Sequence, residues 1–231
     1  MATSQHMNKS DKVLGTDVQK HLISLGIETP MIASSLTEDE KLERLMSNYA
    51  EIHETLGLDL EDDSLMETPK RIAKLQLFES FKGLDYNNFP KMTVVDNKFY
   101  TGMVSVNDIQ LISMCEHHWE RVLGNVNISY IPTDKVVGLS KLSRLVDFFA
   151  SRPIVQERFT SQVFETLKYI MDTEDIAVNV KSTHLCMFAR GVKEPCSNTF
   201  TTLLGGRFLT EDALRNEFMS QINYQKSVMP Q

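Results

Sequence analysis

The sequence has little of what builds a cross-linked or membrane-embedded protein. Only three cysteines occur in 231 residues, Cys115, Cys186 and Cys196, an odd number that reads as metal-binding or catalytic thiols rather than a disulfide frame. No apolar run approaches the roughly 20 residues of a helical membrane span. Positive charge is also short: 24 Lys plus Arg against 31 Asp plus Glu leave a net charge of −7, which argues against a general nucleic-acid binder. Any anionic ligand must therefore meet local cations. Ten glycines and seven prolines, with no internal repeat, exclude a collagenous or low-complexity chain.

What remains is globular. With 42% hydrophobic residues the chain can bury a core, as one large domain or one domain with a helical appendage. The first thirty residues hold no run suited to a signal peptide, so a cytoplasmic location without a membrane partner is expected. Met7 offers an alternative start to Met1, residues 1–6 then being an appended scar.

Up to about residue 83 the periodicity is helical. Val18, Leu22, Ile23 and Leu25 precede Gly26, and Leu42, Leu45, Met46, Tyr49, Ile52 and Leu56 precede Gly57. Thr68 reads as an N-cap before Pro69, opening a third helix over PKRIAKLQLFESF. These three helices are expected to form a peripheral layer. From about residue 91 the period changes to two, with strands near 92–98, 103–114 and 121–131 set off by Asn97, Gly102 and Gly124. A helix follows Gly138 and ends at Arg152 and Pro153. A second, over VQERFTSQVFETLKYIMD, places Val155, Phe159, Val163, Leu167 and Ile170 on one side. Strands return in DIAVNVKSTHLCMFARG and NTFTTLLGG, and a last helix over about 211–223 opens on Thr210 as its cap. The order gives an α+β class, divided into an N-terminal helical region, 1–90, and a second unit, 91–231.

The chemistry concentrates in two short stretches. SMCEHHWE holds Cys115, His117 and His118, and THLCMFARG holds His184 and Cys186. Two apart on a strand, His184 and Cys186 would face one site, and Cys115 and His118 can converge from a turn at a strand end. Thiolate with imidazole is the donor set zinc prefers. A closed Cys2His2 structural site is one reading. Five metal-competent or acid/base groups exceed what it consumes, which slightly favours an open site with three ligands and a water of pKa roughly 7. A cytidine-deaminase-type site would need Cys-x-x-Cys, which is absent.

LMETPKRIAK at 65–74, CEHH at 115–118, GLSKLSRLV at 138–146, VQERFT at 155–160 and HLCMFARG at 184–191, in this order, resemble the GTP cyclohydrolase I family. The resemblance runs from residue 38 to the C-terminus. It implies conversion of GTP and water to 7,8-dihydroneopterin triphosphate and formate, the entry to folate and tetrahydrobiopterin synthesis. It further implies the tunnelling fold, an antiparallel sheet with two packed helices, assembled into a homodecamer with active sites between subunits. By the same resemblance Zn2+ is held by Cys115, His118 and Cys186, while His117 and His184 handle protons. Glu157 anchors the guanine, with Gln156 beside it. Arg71, Lys74, Ser140, Lys141, Arg144 and Arg190 hold the triphosphate. Glu116 is expected to support the metal histidines rather than ligate.

Without the family, the basic pairs would read as solvated charge and Glu157 as a first-turn helix glutamate. Ser197, Thr199 and Thr201 divide evenly between a binding role and a hydroxyl-lined strand face, and Cys196 is a spare thiol. The sequence departs from the family pattern at Ile154, Phe159 and Trp119, which touches packing rather than chemistry. Two other classes compete: a non-catalytic pterin- or purine-binding module with structural zinc, and a tunnelling-fold nitrile reductase. The first would not need both His117 and His184, and the second would not need CEHH paired with His-x-Cys.

Overall fold

The computed structural model describes residues 10–194 and 196–224, so Met7 and residues 1–6 lie outside the described residues. Three helices come first: α1 (Lys12–Ser24), α2 (Glu38–Thr55) and α3 (Thr68–Lys74). Asp11 caps α1 by accepting from the Leu14 N–H at 3.0 Å. At α2, Thr37 and Glu40 exchange side-chain and backbone bonds in a capping box. Pro69 lies in the first turn of α3, but Thr68 is not the cap: it is the first helical residue, and Glu67 before it makes no side-chain cap bond. Beyond Lys74 the chain widens into a π-helical turn, Leu75–Ser80, which apolar spacing of three and four does not distinguish from α.

The expected peripheral layer describes α2, which buries only His53. It does not describe α1, whose Val18 and Leu22 have no exposure and join the main core.

The strands β1 (Val94–Asp96), β2 (Val104–Cys115), β3 (Arg121–Tyr130) and β4 (Lys135–Val137) follow. Then come α4 (Leu139–Ala150), β5 (Pro153–Ile154), α5 (Gln156–Met171), β6 (Ile176–His184), α6 (Leu185–Phe188), β7 (Thr199–Leu204), α7 (Arg207–Thr210) and α8 (Asp212–Tyr224). The last helix thus starts at Asp212, and Thr210 ends a separate single turn instead of capping it. β1 and β4 form a small ribbon, and the main sheet runs β5-β2-β3-β6-β7. Its pairings are antiparallel except the short parallel contact of β2 with β5. Helices and a largely antiparallel sheet give the α+β class.

Gly124 is not a strand boundary but lies inside β3, opposite Ser182. A Cβ there would collide with the Lys181 carbonyl and with Ser182, so the close approach of β3 and β6 requires glycine.

Alternation along the strands selects one face for the helices. Ile109, Leu111, Ser113 and Cys115 of β2 are buried on it, as are Val122, Val126 and Ile128 of β3 and Ile176, Val178 and Val180 of β6. Against this face pack Leu142, Leu145, Val146 and Phe149 of α4 and Phe159, Val163 and Leu167 of α5, all at 1% exposure or less. Each such side chain contributes about 1.5–3 kcal/mol. Cys115 and His184 end their strands on this same side.

One buried cation joins the layers. Arg152, with no exposure, donates to Glu28 Oε1 at 3.0 Å and to the Gly83 carbonyl, and its guanidinium lies 4.8–5.2 Å from the ring centroids of Phe148, Phe149 and Tyr86. The Tyr86 hydroxyl donates to the other Glu28 oxygen, and burial pushes that phenol far above its ordinary pKa. Breaking a buried pair strands the remaining charge. Arg152→Met is therefore expected to lose about 3–5 kcal/mol of stability, read as a lowered denaturation midpoint; an unchanged midpoint would show the pair to be dispensable.

Candidate active site

The CEHH turn is built by the end of β2. Its Cys115 N–H donates to the Glu120 carbonyl at 2.8 Å, and the Trp119 N–H returns to the Cys115 carbonyl at 2.9 Å. Trp119 takes a left-handed φ of 53°, rare for a bulky residue, which closes the turn. Its ring stands edge-on to Phe81, 5.0 Å between centroids. On the other side β5 lies parallel to β2, with Cys115 opposite Ile154 and the Glu116 N–H donating to the Ile154 carbonyl at 3.0 Å.

The second thiol arrives from elsewhere. Cys186 is not on a strand with His184: β6 ends at His184, and Cys186 lies in the single-turn helix α6. A turn instead of two-residue alternation carries it toward β2.

The ligand atoms of Cys115, His118 and Cys186 all lie within 4.8 Å of one another, with Cys115 Sγ 3.9 Å from His118 Nδ1. Zinc–sulfur and zinc–nitrogen bond lengths imply tetrahedral edges of about 3.6–3.8 Å, so two thiols and one imidazole stand close to the spacing a single ion needs. Cys115 is buried, Cys186 half-buried and His118 exposed. Burial pushes the Cys186 thiol up, and the adjacent Cys115 adds to it through a hydrogen bond and its charge, against a smaller opposing effect of Arg190. Two thiolates in contact call for a cation between them. The residues present fit a metal ion.

His184 stands beside this group, held by Gln156. The Gln156 side chain is 2% exposed, and its Oε1 lies 2.9 Å from His184 Nε2 and accepts from Ser182 Oγ at 2.5 Å. Its Nε2 donates to the Thr199 carbonyl and Thr201 Oγ1, both at 3.2 Å. Both ends of the amide are thus engaged within the protein, beneath the histidine. Thr201 also bonds Thr160 Oγ1 at 2.6 Å, so this hydroxyl belongs to the packing of β7 on α5. Burial pushes the His184 pKa below its ordinary value, opposed by the Glu157 carboxylate, whose field reaches the ring. Glu157 itself is exposed in the first turn of α5. His117 is exposed too, its ring 6.3 Å from that of His118.

Glu116 does not reach a histidine. It forms an ion pair with Arg158 at 2.5 Å, and this contact across 42 residues was not anticipated from the sequence, which offers no local sign of it.

The basic residues are spread more widely. Arg71 and Lys74 lie on α3, Ser140, Lys141 and Arg144 at the start of α4, and Arg190 beyond α6. Among the described residues none of Arg71, Lys74, Lys141, Arg144 and Arg190 forms an ion pair, and none of the six bonds to the Cys–His–Cys group. Cys196 is an exposed free thiol outside the cluster. No helix among the described residues is long and apolar enough to cross a membrane.

Replacing one sulfur by oxygen removes a soft ligand without changing the side chain's size. Cys186→Ser is expected to drop bound transition metal from about one ion per chain to a small fraction, measured by elemental analysis; full retention would exclude Cys186 as a ligand.

Comparison with known proteins agrees with the geometry. The family model described as GTP cyclohydrolase I matches residues 45–223. The chain is 49% identical over 203 residues to "GTP cyclohydrolase 1" of Aeromonas salmonicida, covering 87% of this chain and 93% of the relative. It is 48% identical over 206 residues to the protein of that name from Aliivibrio salmonicida, covering 89% and 95%. With the Haemophilus influenzae protein of the same name it shares 47% identity over 207 residues, covering 89% and 95%. The chain belongs to the GTP cyclohydrolase I family.

Proposed function

We propose that the protein converts GTP and water to 7,8-dihydroneopterin triphosphate and formate, with zinc held by Cys115, His118 and Cys186. The observation that carries this reading is the convergence of those three ligand atoms in a chain of this family, with His184 alongside. A zinc ion with one coordination position open supplies hydroxide near neutral pH.

The chain's own residues then perform three tasks. Glu157, whose carboxylate accepts no hydrogen bond among the described residues, is free to accept the N1 and 2-amino protons of guanine, a pair of donors that adenine lacks. Arg71, Lys74, Ser140, Lys141, Arg144 and Arg190 receive the triphosphate, of charge roughly −4. Among the described residues the five cations form no internal ion pair, which supports this, because no such pair must be broken for phosphate to bind.

His117 and His184 move protons. Water adds to C8 of the guanine, N7 and N9 each gain a proton as their bonds to that carbon break, and a second hydrolysis releases it as formate. The ribose then rearranges, and its carbonyl condenses with the freed amine with loss of water, so the net reaction uses one water. An imidazole can both accept and donate a proton, which suits both directions of transfer. Gln156, with both amide ends occupied, serves the substrate by fixing the His184 ring rather than through a free amide.

We further propose the tunnelling fold for the unit from residue 91, with residues 1–90 supplying Arg71 and Lys74. Homodecamer assembly would bring together cations that form no bond with the metal group within one chain, each site forming between subunits. The cytoplasm is the compartment that suits reduced thiols and a GTP supply.

Two substitutions check the assignment. His117→Ser is expected to lower formate release from GTP by at least about a hundredfold while zinc content stays at the wild-type level; loss of zinc as well would make His117 a ligand. Glu157→Gln, which turns one acceptor oxygen into a donor facing guanine, is expected to lower kcat/KM for GTP by about a hundredfold or more. Steady-state kinetics of the fluorescent oxidised pterin measures it, and an unchanged value would place the base elsewhere.

A further inference from the structure

The Glu116–Arg158 pair joins two parts of the site that the chain itself keeps far apart. Glu116 lies between Cys115 and His117 in the turn that carries one thiol and both imidazoles. Arg158 lies in the first turn of α5, directly after Gln156 and Glu157. The pair is 2.5 Å long and its side chains are 25% and 28% exposed, so it is partly withdrawn from water and less screened than a surface pair. Backbone contacts fasten the turn on the β5 side, at Cys115 opposite Ile154 and through the Glu116 N–H to the Ile154 carbonyl. On the other side the turn is closed onto β3 by the Cys115 N–H to the Glu120 carbonyl, and the Trp119 ring rests on Phe81. The Glu116 side chain adds a direct attachment of the turn to α5, between side chains rather than through the sheet.

We infer that Glu116 and Arg158 are positioning residues: their ion pair sets the distance and angle between the metal-binding turn and the first turn of α5, which carries Glu157 and the Gln156 that orients His184. The inference rests on the functional reading above and deepens it. Neither residue touches the reacting atoms. What the pair supplies is registry between the group that holds the base and the groups that attack it, where an error of about 1 Å costs on the order of a hundredfold. Two alternatives are poorer. Glu116 is not a metal ligand, because the Cys–His–Cys group does not include it. Nor is it the partner of a histidine, since its carboxylate is taken by Arg158.

The test uses the full-length protein and four variants: Glu116→Gln, Arg158→Met, the two combined, and Arg158→Lys. Formate release gives kcat and KM for GTP, elemental analysis gives zinc per chain, and thermal denaturation gives the midpoint. Expected is a fall in kcat of about tenfold to a hundredfold in each of the first two, with zinc per chain unchanged and KM within about threefold. The combined variant is expected to be no slower than the slower single one, because both remove the same contact. Arg158→Lys, which keeps a cation within reach of Glu116, is expected to recover most of the rate. Wild-type kcat in Glu116→Gln overturns the inference, and so does a combined variant whose loss equals the product of the single losses. A loss of rate that follows loss of zinc or a lowered midpoint overturns it too. Should Arg158→Met not fold, Glu116→Gln and Arg158→Lys decide the matter alone, through the contrast between loss and recovery. If the wild-type protein releases no formate from zinc and GTP, the functional reading itself fails, an outcome separate from an active wild type with indifferent variants.

Discussion

A guanidinium without solvent exposure holds the two halves of this chain together. Arg152 is stable in that position because Glu28 faces it, the Gly83 carbonyl accepts from it and three aromatic rings surround it. An isolated buried charge would be far too costly. Its place in the chain makes it consequential. It directly precedes β5, and its own carbonyl accepts from Ser113 of β2 at 3.2 Å, beside the stronger 2.7 Å bond of the same hydroxyl to Ala150. Thus the residue that captures segments 27–29 and 83–86 also fixes the edge of the sheet where Cys115 pairs with Ile154. The metal-binding turn and the first turn of α5 both start from that edge.

From there the site is assembled by polar groups that satisfy one another. Gln156 accepts at one end of its amide and donates at the other, so burial at 2% exposure leaves it no unmet bond. Such an amide has one comfortable orientation, and it presents the oxygen to His184. The same strand row that places His184 opposite Val122 puts Ser113 opposite Val122 from the other side, two residues before Cys115. Sheet register, not loop closure, therefore brings histidine and thiol to one face.

The parts of this arrangement that follow local rules were legible in the sequence. Period-two alternation gave β2, β3, β6 and β7, and the three-and-four spacing gave α1, α2, α4 and α5 within a few residues. CEHH and His-x-Cys pointed to a metal group, and the donor atoms do converge. What was not legible depends on partners distant in sequence. Arg152 read only as the end of a helix, because Glu28 is 124 residues away. Glu116 read as a support for histidines, because nothing near it announces Arg158. Gly124 read as a boundary, since its reason is a backbone on another strand. Cys186 read as a strand residue because two-residue spacing from His184 satisfies a strand and a single helical turn equally.

How the cations are paired bears on ligand binding. Among the described residues some cations away from the site are paired, as Arg207 with Glu211, Arg215 with Asp212 and Lys168 with Glu165 and Glu174, and others are not, Lys12, Arg44 and Arg121 among them. Exposed pairs of that kind are worth roughly 0–1 kcal/mol, so pairing is not what stability demands. Among the described residues Arg71, Lys74, Lys141, Arg144 and Arg190 form no ion pair, in a chain whose net charge is −7 and which has carboxylates to spare. An internal carboxylate on any of them would have to be displaced before a phosphate could bind, subtracting its interaction from the affinity. Unpaired, with Arg71, Lys74 and Arg190 exposed and Lys141 and Arg144 half-buried, they offer their field to an arriving polyanion. Arg158 differs: Glu116 already pairs it, so beside the exposed carboxylate of Glu157, in the first turn of α5, there is no unpaired cation to draw a triphosphate to the proposed base-binding end.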